Sequence, residues 1–193
     1  MARWVVFDYG EVIGQRTREL PSLAALLAAG EADFERAYWA ERDRYDSGVP
    51  DAEYWRAVAA RLGRTVDDAL VERLTALDVA GWLNADPAVL DLIDELYRRD
   101  VPLAVLSNAS STFGRAVERE PWARLFKHLL FSGDLGITKP DPRIYRVLTS
   151  TLGAEAEDCV FFDDRRDNVD AARLAGLTAH RWNGPEAARR SLT

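Results

Sequence analysis

Five short strand-like runs are spread along this chain, and stretches of helical period separate them. They are Trp4–Phe7, Leu103–Leu106, Leu129–Phe131, Cys159–Phe162 and Thr178–Trp182. Most are rich in Val, Leu or Phe and too short for helices, which suits strands buried on both faces. Strands alternating with helices imply a parallel sheet joined by right-handed crossovers, an α/β fold. A chain of 193 residues can bury one such core without disulfides or a structural metal.

The first gap is too long for a crossover. Leu20, Leu23, Leu26 and Leu27 fall at helical spacing, as do Phe34, Tyr38 and Arg42, then Trp55, Val58 and Leu62. Thr65 and Asp68 are placed to cap a further helix carrying Leu70, Leu74 and Leu77. Ser47-Gly48-Val49-Pro50-Asp51 breaks the block. A crossover needs one helix, so residues 15–84 read as an inserted helical cap, with the core made of 1–14 and 85–193. Tyr38, Trp39, Tyr45, Tyr54 and Trp55 read mainly as the cap's own core. Those nearest the 45–51 break are the best placed to meet a ligand. Within the core, Val89, Leu92, Ile93 and Leu96 mark a helix, residues 111–119 another, and Asp141-Pro142 a helix start. A last helix covers Val169–Ala175, closed by Gly176.

Composition narrows the chemistry. The net charge of −7 argues against nucleic-acid binding, which needs a basic stripe. One cysteine, Cys159, excludes an internal disulfide, and two histidines, His128 and His180, make a histidine metal site improbable on numbers alone. Both histidines read as structural. A metal here would be held by oxygen, which suggests Mg²⁺. No apolar run nears the roughly 20 residues of a membrane span, and the N-terminal residues lack a signal-peptide pattern. The expectation is a cytoplasmic protein without a membrane partner. Only Lys127 and Lys139 are lysines among 25 basic residues, which singles out Lys139.

In an open parallel sheet, ligands bind beyond the carboxyl ends of the strands. Asp8, Ser107, Lys139 and Asp163-Asp164 follow strand-like runs directly or one loop later. Acids for a hard cation, a compact ammonium and hydroxyl or amide donors together suit a phosphoryl group. A carboxylate beside the cation can attack phosphorus and form an acyl phosphate.

Four motifs in order then carry a resemblance. Phe7-Asp8-Tyr9-Gly10-Glu11-Val12-Ile13, Leu106-Ser107-Asn108, the Gly136–Tyr145 stretch around Lys139, and Phe161–Ala172 around Asp163-Asp164 resemble motifs I to IV of the haloacid dehalogenase-like (HAD) superfamily. The resemblance implies a Rossmann-like parallel sheet core with an inserted all-helical C1-type cap. It implies Asp8 as nucleophile and metal ligand, the Gly10 carbonyl as a backbone ligand, and Asp164 as the motif IV ligand. Asp163 and Asn168 would stand just behind the metal. Ser107, Asn108 and Lys139 would bind phosphate, with Lys139 balancing charge.

The family's phosphatases usually carry a second aspartate two residues after the nucleophile, as general acid and base. Here that position is Gly10, and strand alternation would aim Glu11 elsewhere. A missing acid is worth on the order of 10²–10⁴ in rate, so either activity is slow or the leaving group needs little protonation. An anomeric sugar oxygen fits, and motif I resembles the bacterial branch that includes α-glucose-1-phosphate phosphatase. The implied function is a Mg²⁺-dependent phosphatase for a small phosphorylated metabolite, a sugar phosphate by this argument. The alternatives are a metal-independent 2-haloacid dehalogenase, against which Asp163-Asp164 counts, and a catalytically weak binding or regulatory protein. The oligomeric state is not legible.

Overall fold

The computed structural model describes residues 3–192. Met1, Ala2 and Thr193, the outermost residues of the expected core segments and of the N-terminal stretch read above, lie outside the described residues. In chain order the elements are β1 (Trp4–Phe7), α1 (Leu20–Leu26), α2 (Glu31–Asp46), α3 (Asp51–Arg61), α4 (Asp68–Trp82) and α5 (Pro87–Arg98). Then follow β2 (Leu103–Ser107), α6 (Ser111–Val117), β3 (His128–Phe131), α7 (Ser132–Leu135) and α8 (Pro142–Leu152). β4 (Cys159–Asp163), α9 (Arg166–Leu174), β5 (Thr178–Arg181) and α10 (Pro185–Ser191) complete the chain.

The strands form one parallel sheet in the order β3-β2-β1-β4-β5. The expected α/β fold holds. Because side chains alternate along a strand, the sheet buries two layers. Val5, Phe7, Leu103 and Val105 pack with Leu92, Ile93 and Leu96 of α5. Val6, Ala104, Leu106 and Phe161 pack on the other side, with Ile144 and Leu148 of α8 and Val169 of α9. A fully buried side chain of this kind stabilises by about 1.5–3 kcal/mol, which fixes the strand registers firmly.

Helices α1 to α4 bury a separate cluster that includes Leu23, Phe34, Tyr38, Trp55, Val58 and Leu74. The chain leaves the sheet and returns to it side by side: Gly14 bridges Ala85, and Asp86 N–H donates to the Ile13 carbonyl (2.8 Å).

Local chemistry sets several boundaries. Asp86 accepts from Ala88 N–H and Asp141 from Arg143 N–H, each followed by proline at the first helical position. The cap of α4 is Asp67, whose Oδ1 accepts from Leu70 N–H (2.8 Å). The expected Thr65–Asp68 pair is displaced because Asp67 is the residue with extended backbone beside the first turn. Helix α9 starts earlier than its apolar residues suggested, at Arg166. The short helices α7 and α10 carried no periodic signal. Both histidines pack on aromatic rings, His128 on Trp4 and His180 on Phe162, each with centroids 5.5 Å apart.

Candidate active site

The sheet order puts β1 between β2 and β4, so the residues leaving these strands meet at one edge. Asp8 follows β1, with its N–H on the Phe162 carbonyl (2.9 Å). Ser107 ends β2 and Asp163 ends β4. Lys139 comes from the loop before α8, and its side chain is fully buried.

Lys139 holds the edge together. Its Nζ lies 2.6 Å from Asp163 Oδ2 and 2.9 Å from Asp8 Oδ1, and donates to the Leu106 carbonyl (2.9 Å). Burial works against the ammonium, but Asp8 and Asp163 together keep its pKa above the ordinary lysine range. Asp8 is pushed up to about 7, by burial first, with Asp163 and Asp164 adding to the rise and Lys139 opposing it. Asp164 is half-buried, and burial and the charges of Asp163 and Glu11 raise it too. Three carboxylates thus face one ammonium.

That donor set fits a hard divalent cation. Asp8, Asp163 and Asp164 each offer a carboxylate oxygen, all within 4.8 Å of one another. They are not equivalent. Asp163 is saturated by protein: Oδ1 accepts from Arg165 N–H (2.8 Å) and Asn168 Nδ2 (3.0 Å), and Oδ2 from Lys139 and Asn168 (3.1 Å). Asp8 and Asp164 therefore keep the oxygens best able to ligate. Asn168 is buried, and its Oδ1 is the one buried side-chain polar atom without a partner among the described residues.

Gly10 begins a tight turn in which the Tyr9 carbonyl accepts from Val12, Ile13 and Gly14 N–H (2.8–3.3 Å). Strand alternation does not govern Glu11, contrary to the expectation. β1 has ended at Phe7, and Glu11 takes a left-handed backbone (φ 53°). It is exposed and borders the same cavity as Asp8.

Asn108 serves another residue's backbone. Its Nδ2 donates to the Lys139 carbonyl and its Oδ1 accepts from Lys139 N–H, both at 2.8 Å. Its amide group thereby pins the Lys139 loop to the end of β2. Ser107 borders the cavity.

The cavity, about 190 Å³, runs from Asp8, Lys139 and Asp164 towards α2 and α4. Larger clefts, such as one of about 810 Å³ along α2, hold none of these groups. The far wall of the smaller cavity includes Trp39, Arg42, Asp43, Asp46 and Trp82, and Arg165 borders it beside Asp164. Tyr45, Tyr54, Tyr38 and Trp55 are buried; the aromatic that borders the cavity is Trp39, away from the 45–51 break, joined by the unanticipated Trp82. One signal was present: Arg42 stands on the apolar stripe of Phe34 and Tyr38, where a guanidinium needs partners.

Residues 3–176 match the family model for haloacid dehalogenase-like hydrolase. The chain is 30% identical over 168 residues to phosphatase MT3486 of Mycobacterium tuberculosis, covering 73% of this chain and 77% of that one. It is 25% identical over 195 residues to phosphoglycolate phosphatase 1 of Pseudomonas aeruginosa, covering 92% and 68%. Among solved structures, a HAD family enzyme of Bacteroides thetaiotaomicron, bt-2542, in complex with magnesium and inorganic phosphate, superposes with a TM-score of 0.73 at 18% identity, covering 95% and 96%. The L-2-haloacid dehalogenase of Xanthobacter autotrophicus gives 0.76 at 18%, covering 100% and 82%. With a family match that runs from β1 to the end of α9 and takes in Asp8, Ser107, Lys139 and Asp163-Asp164, this chain belongs to the haloacid dehalogenase-like hydrolases.

Proposed function

We propose that the chain is a Mg²⁺-dependent phosphatase that removes phosphate from a small phosphorylated metabolite through an aspartyl-phosphate on Asp8. The observation that carries this reading is the buried Lys139 ammonium bridging Asp8 and Asp163, with Asp164 beside them. Acids in that number repel a phosphate unless a cation intervenes. Asp8, Asp164 and the Gly10 carbonyl would hold Mg²⁺, with Asp163 and Asn168 behind them. When bound, the ion supplies charge neutralisation and polarisation of a phosphoryl oxygen.

The chain's own groups do the rest. Lys139 and the Ser107 hydroxyl orient the phosphoryl group, and Asn108 keeps the Lys139 loop in place. An Asp8 carboxylate oxygen bonds to phosphorus as the ester P–O bond breaks and the leaving oxygen departs with the bonding pair. Water then attacks the aspartyl-phosphate, releasing phosphate and restoring the carboxylate. Gly10 offers no proton, so leaving oxygens that need little protonation are favoured, which supports an anomeric sugar phosphate. The helical insertion acts as a C1-type cap over this reaction, in a cytoplasmic enzyme.

The dehalogenase neighbour keeps a second reading in view, because Asp8 could equally displace halide from carbon. Phosphate release from a panel of phosphorylated metabolites, with Mg²⁺ and with excess chelator, separates the two. The phosphatase reading requires release that chelator abolishes. Undiminished release in chelator overturns the metal role, and halide release from a 2-haloacid with no phosphate release favours the dehalogenase.

A further inference from the structure

The wall of the cavity opposite Asp8 is more specific than a general cover needs to be. Arg42 and Asp46, one turn apart on α2, form a buried ion pair (Nε to Oδ1, 3.0 Å), with side chains 11% and 12% exposed. Arg42 Nη1 is engaged by Asp78 Oδ2 (3.3 Å) and the Tyr38 hydroxyl. Among the described residues, the pair's hydrogen bonds use Arg42 Nε and Nη1 and Asp46 Oδ1. Arg42 and Asp46 both border the cavity, and together they present a guanidinium and a carboxylate to it. Trp39 and Trp82 stand beside them at 84°, centroids 6.3 Å apart, and Arg42 lies 5.6 Å over the Trp82 ring.

We infer that Arg42 and Asp46, with Trp39 and Trp82, are the specificity-determining subsite for the leaving group, and that they select a neutral polyhydroxyl group over one bearing a second anion. The inference rests on the phosphatase reading for the position of the phosphate. A donor and an acceptor side by side match a hydroxyl, which is both. A carboxylate is acceptor only, and Asp46 repels it. The Arg42 guanidinium cannot answer with surplus charge, because Asp46 and Asp78 both compensate it, and the other cation bordering the cavity, Arg165, shares it with Asp43 and Asp164. The indole faces suit the C–H faces of a sugar ring. This wall therefore separates the chain from relatives whose substrate, as in phosphoglycolate phosphatase, carries a carboxylate.

The test uses the full chain with Asp8→Asn, which holds a substrate without turning it over, in Mg²⁺. Calorimetric affinities are compared for glucose 1-phosphate, glucuronic acid 1-phosphate and cyclohexyl phosphate. The first two differ at one position, CH₂OH against carboxylate; the third has no hydroxyls. Glucose 1-phosphate should bind at least about tenfold more tightly than either, the order of one hydrogen bond to a charged group. Adding Asp46→Asn should cut that preference below about threefold. Trp39 is partly exposed, so Trp39→Ala folds regardless of the buried pair and should weaken glucose 1-phosphate more than cyclohexyl phosphate. Tighter binding of the glucuronate, a preference that neither variant alters, or no binding of any of the three overturns the inference. Selective binding without phosphate release by the unsubstituted chain would instead sink the phosphatase reading and leave the subsite standing.

Discussion

At the scale of single residues, the proposed reaction turns on Asp8 and on what Gly10 does not supply. Asp8 is buried and its carboxyl is raised to about 7, so the fold gains nothing from its charge. Asp8→Asn should therefore leave the melting temperature equal or higher while phosphate release falls by about four orders of magnitude. A variant that retains most of the rate would remove Asp8 as nucleophile. Gly10 gives the sharper experiment. A Cβ built there meets nothing within 4 Å, and the residue is not among those of positive φ. Gly10→Asp should thus fold and bring a carboxyl to the mouth of the site. Rates for poor leaving groups, such as a sugar 6-phosphate, should rise by about tenfold or more relative to aryl phosphates, within the range of general acid catalysis. An unchanged ratio would mean that the unsubstituted site already has a proton donor, Glu11 being the acid at hand.

At the scale of elements, the joint between α2 and the sheet is built from polar contacts and close backbone approach. The Ser132 hydroxyl donates to the Asp46 carbonyl (2.5 Å) and accepts from Ala109 N–H (3.0 Å). Thr112 Oγ1 donates to Asp51 Oδ2 (2.7 Å), where the Tyr45 hydroxyl also donates, to Oδ1 (2.6 Å). Between them Gly48 has φ 104°, and a Cβ there would stand 2.7 Å from the Gly133 carbonyl oxygen. Backbone strain and the clash act together, so Gly48→Ala should destabilise by about 1–3 kcal/mol. Denaturant midpoints check this, and an unchanged midpoint would show that α2 does not need this approach. Because Asp46 sits on the same joint, the variant should also weaken substrate binding more than it weakens inorganic phosphate.

At the scale of the whole molecule, one sheet edge collects groups of like charge that no single element could hold together. The Coulomb strain among Asp8, Asp163 and Asp164 is only part-relieved by Lys139, and a cation bound by the folded chain alone adds RT ln(1 + [L]/Kd) to stability. Mg²⁺ at about 100 times its dissociation constant should add roughly 2.7 kcal/mol, readable as a rise in melting temperature that chelator reverses. Asp164→Ala should lose most of that rise. No helix among the described residues is long and apolar enough to cross a membrane.

Much of this was legible before any folding was considered. Strand runs, helix starts at Asp86-Pro87 and Asp141-Pro142, and the polar residues at the strand ends are local properties. A parallel sheet converts them into one edge by topology alone, so Asp8, Ser107, Lys139 and Asp163 meet wherever the details fall. The tertiary structure decided what depends on contacts between elements. It turned the Asn108 amide to the Lys139 backbone, left Glu11 in a turn, and brought Trp39, Arg42, Asp46 and Trp82 to face Asp8 across the cavity. No period or spacing encodes these, because the placement of α2 over the sheet edge depends on the Ser132 and Gly48 contacts and that of the end of α4 on the Tyr9 hydroxyl, which donates to the Trp82 carbonyl (2.9 Å). The polar groups of the candidate site are thus written in the sequence as strand ends and one loop, while the wall opposite them exists only once two separately packed cores have docked.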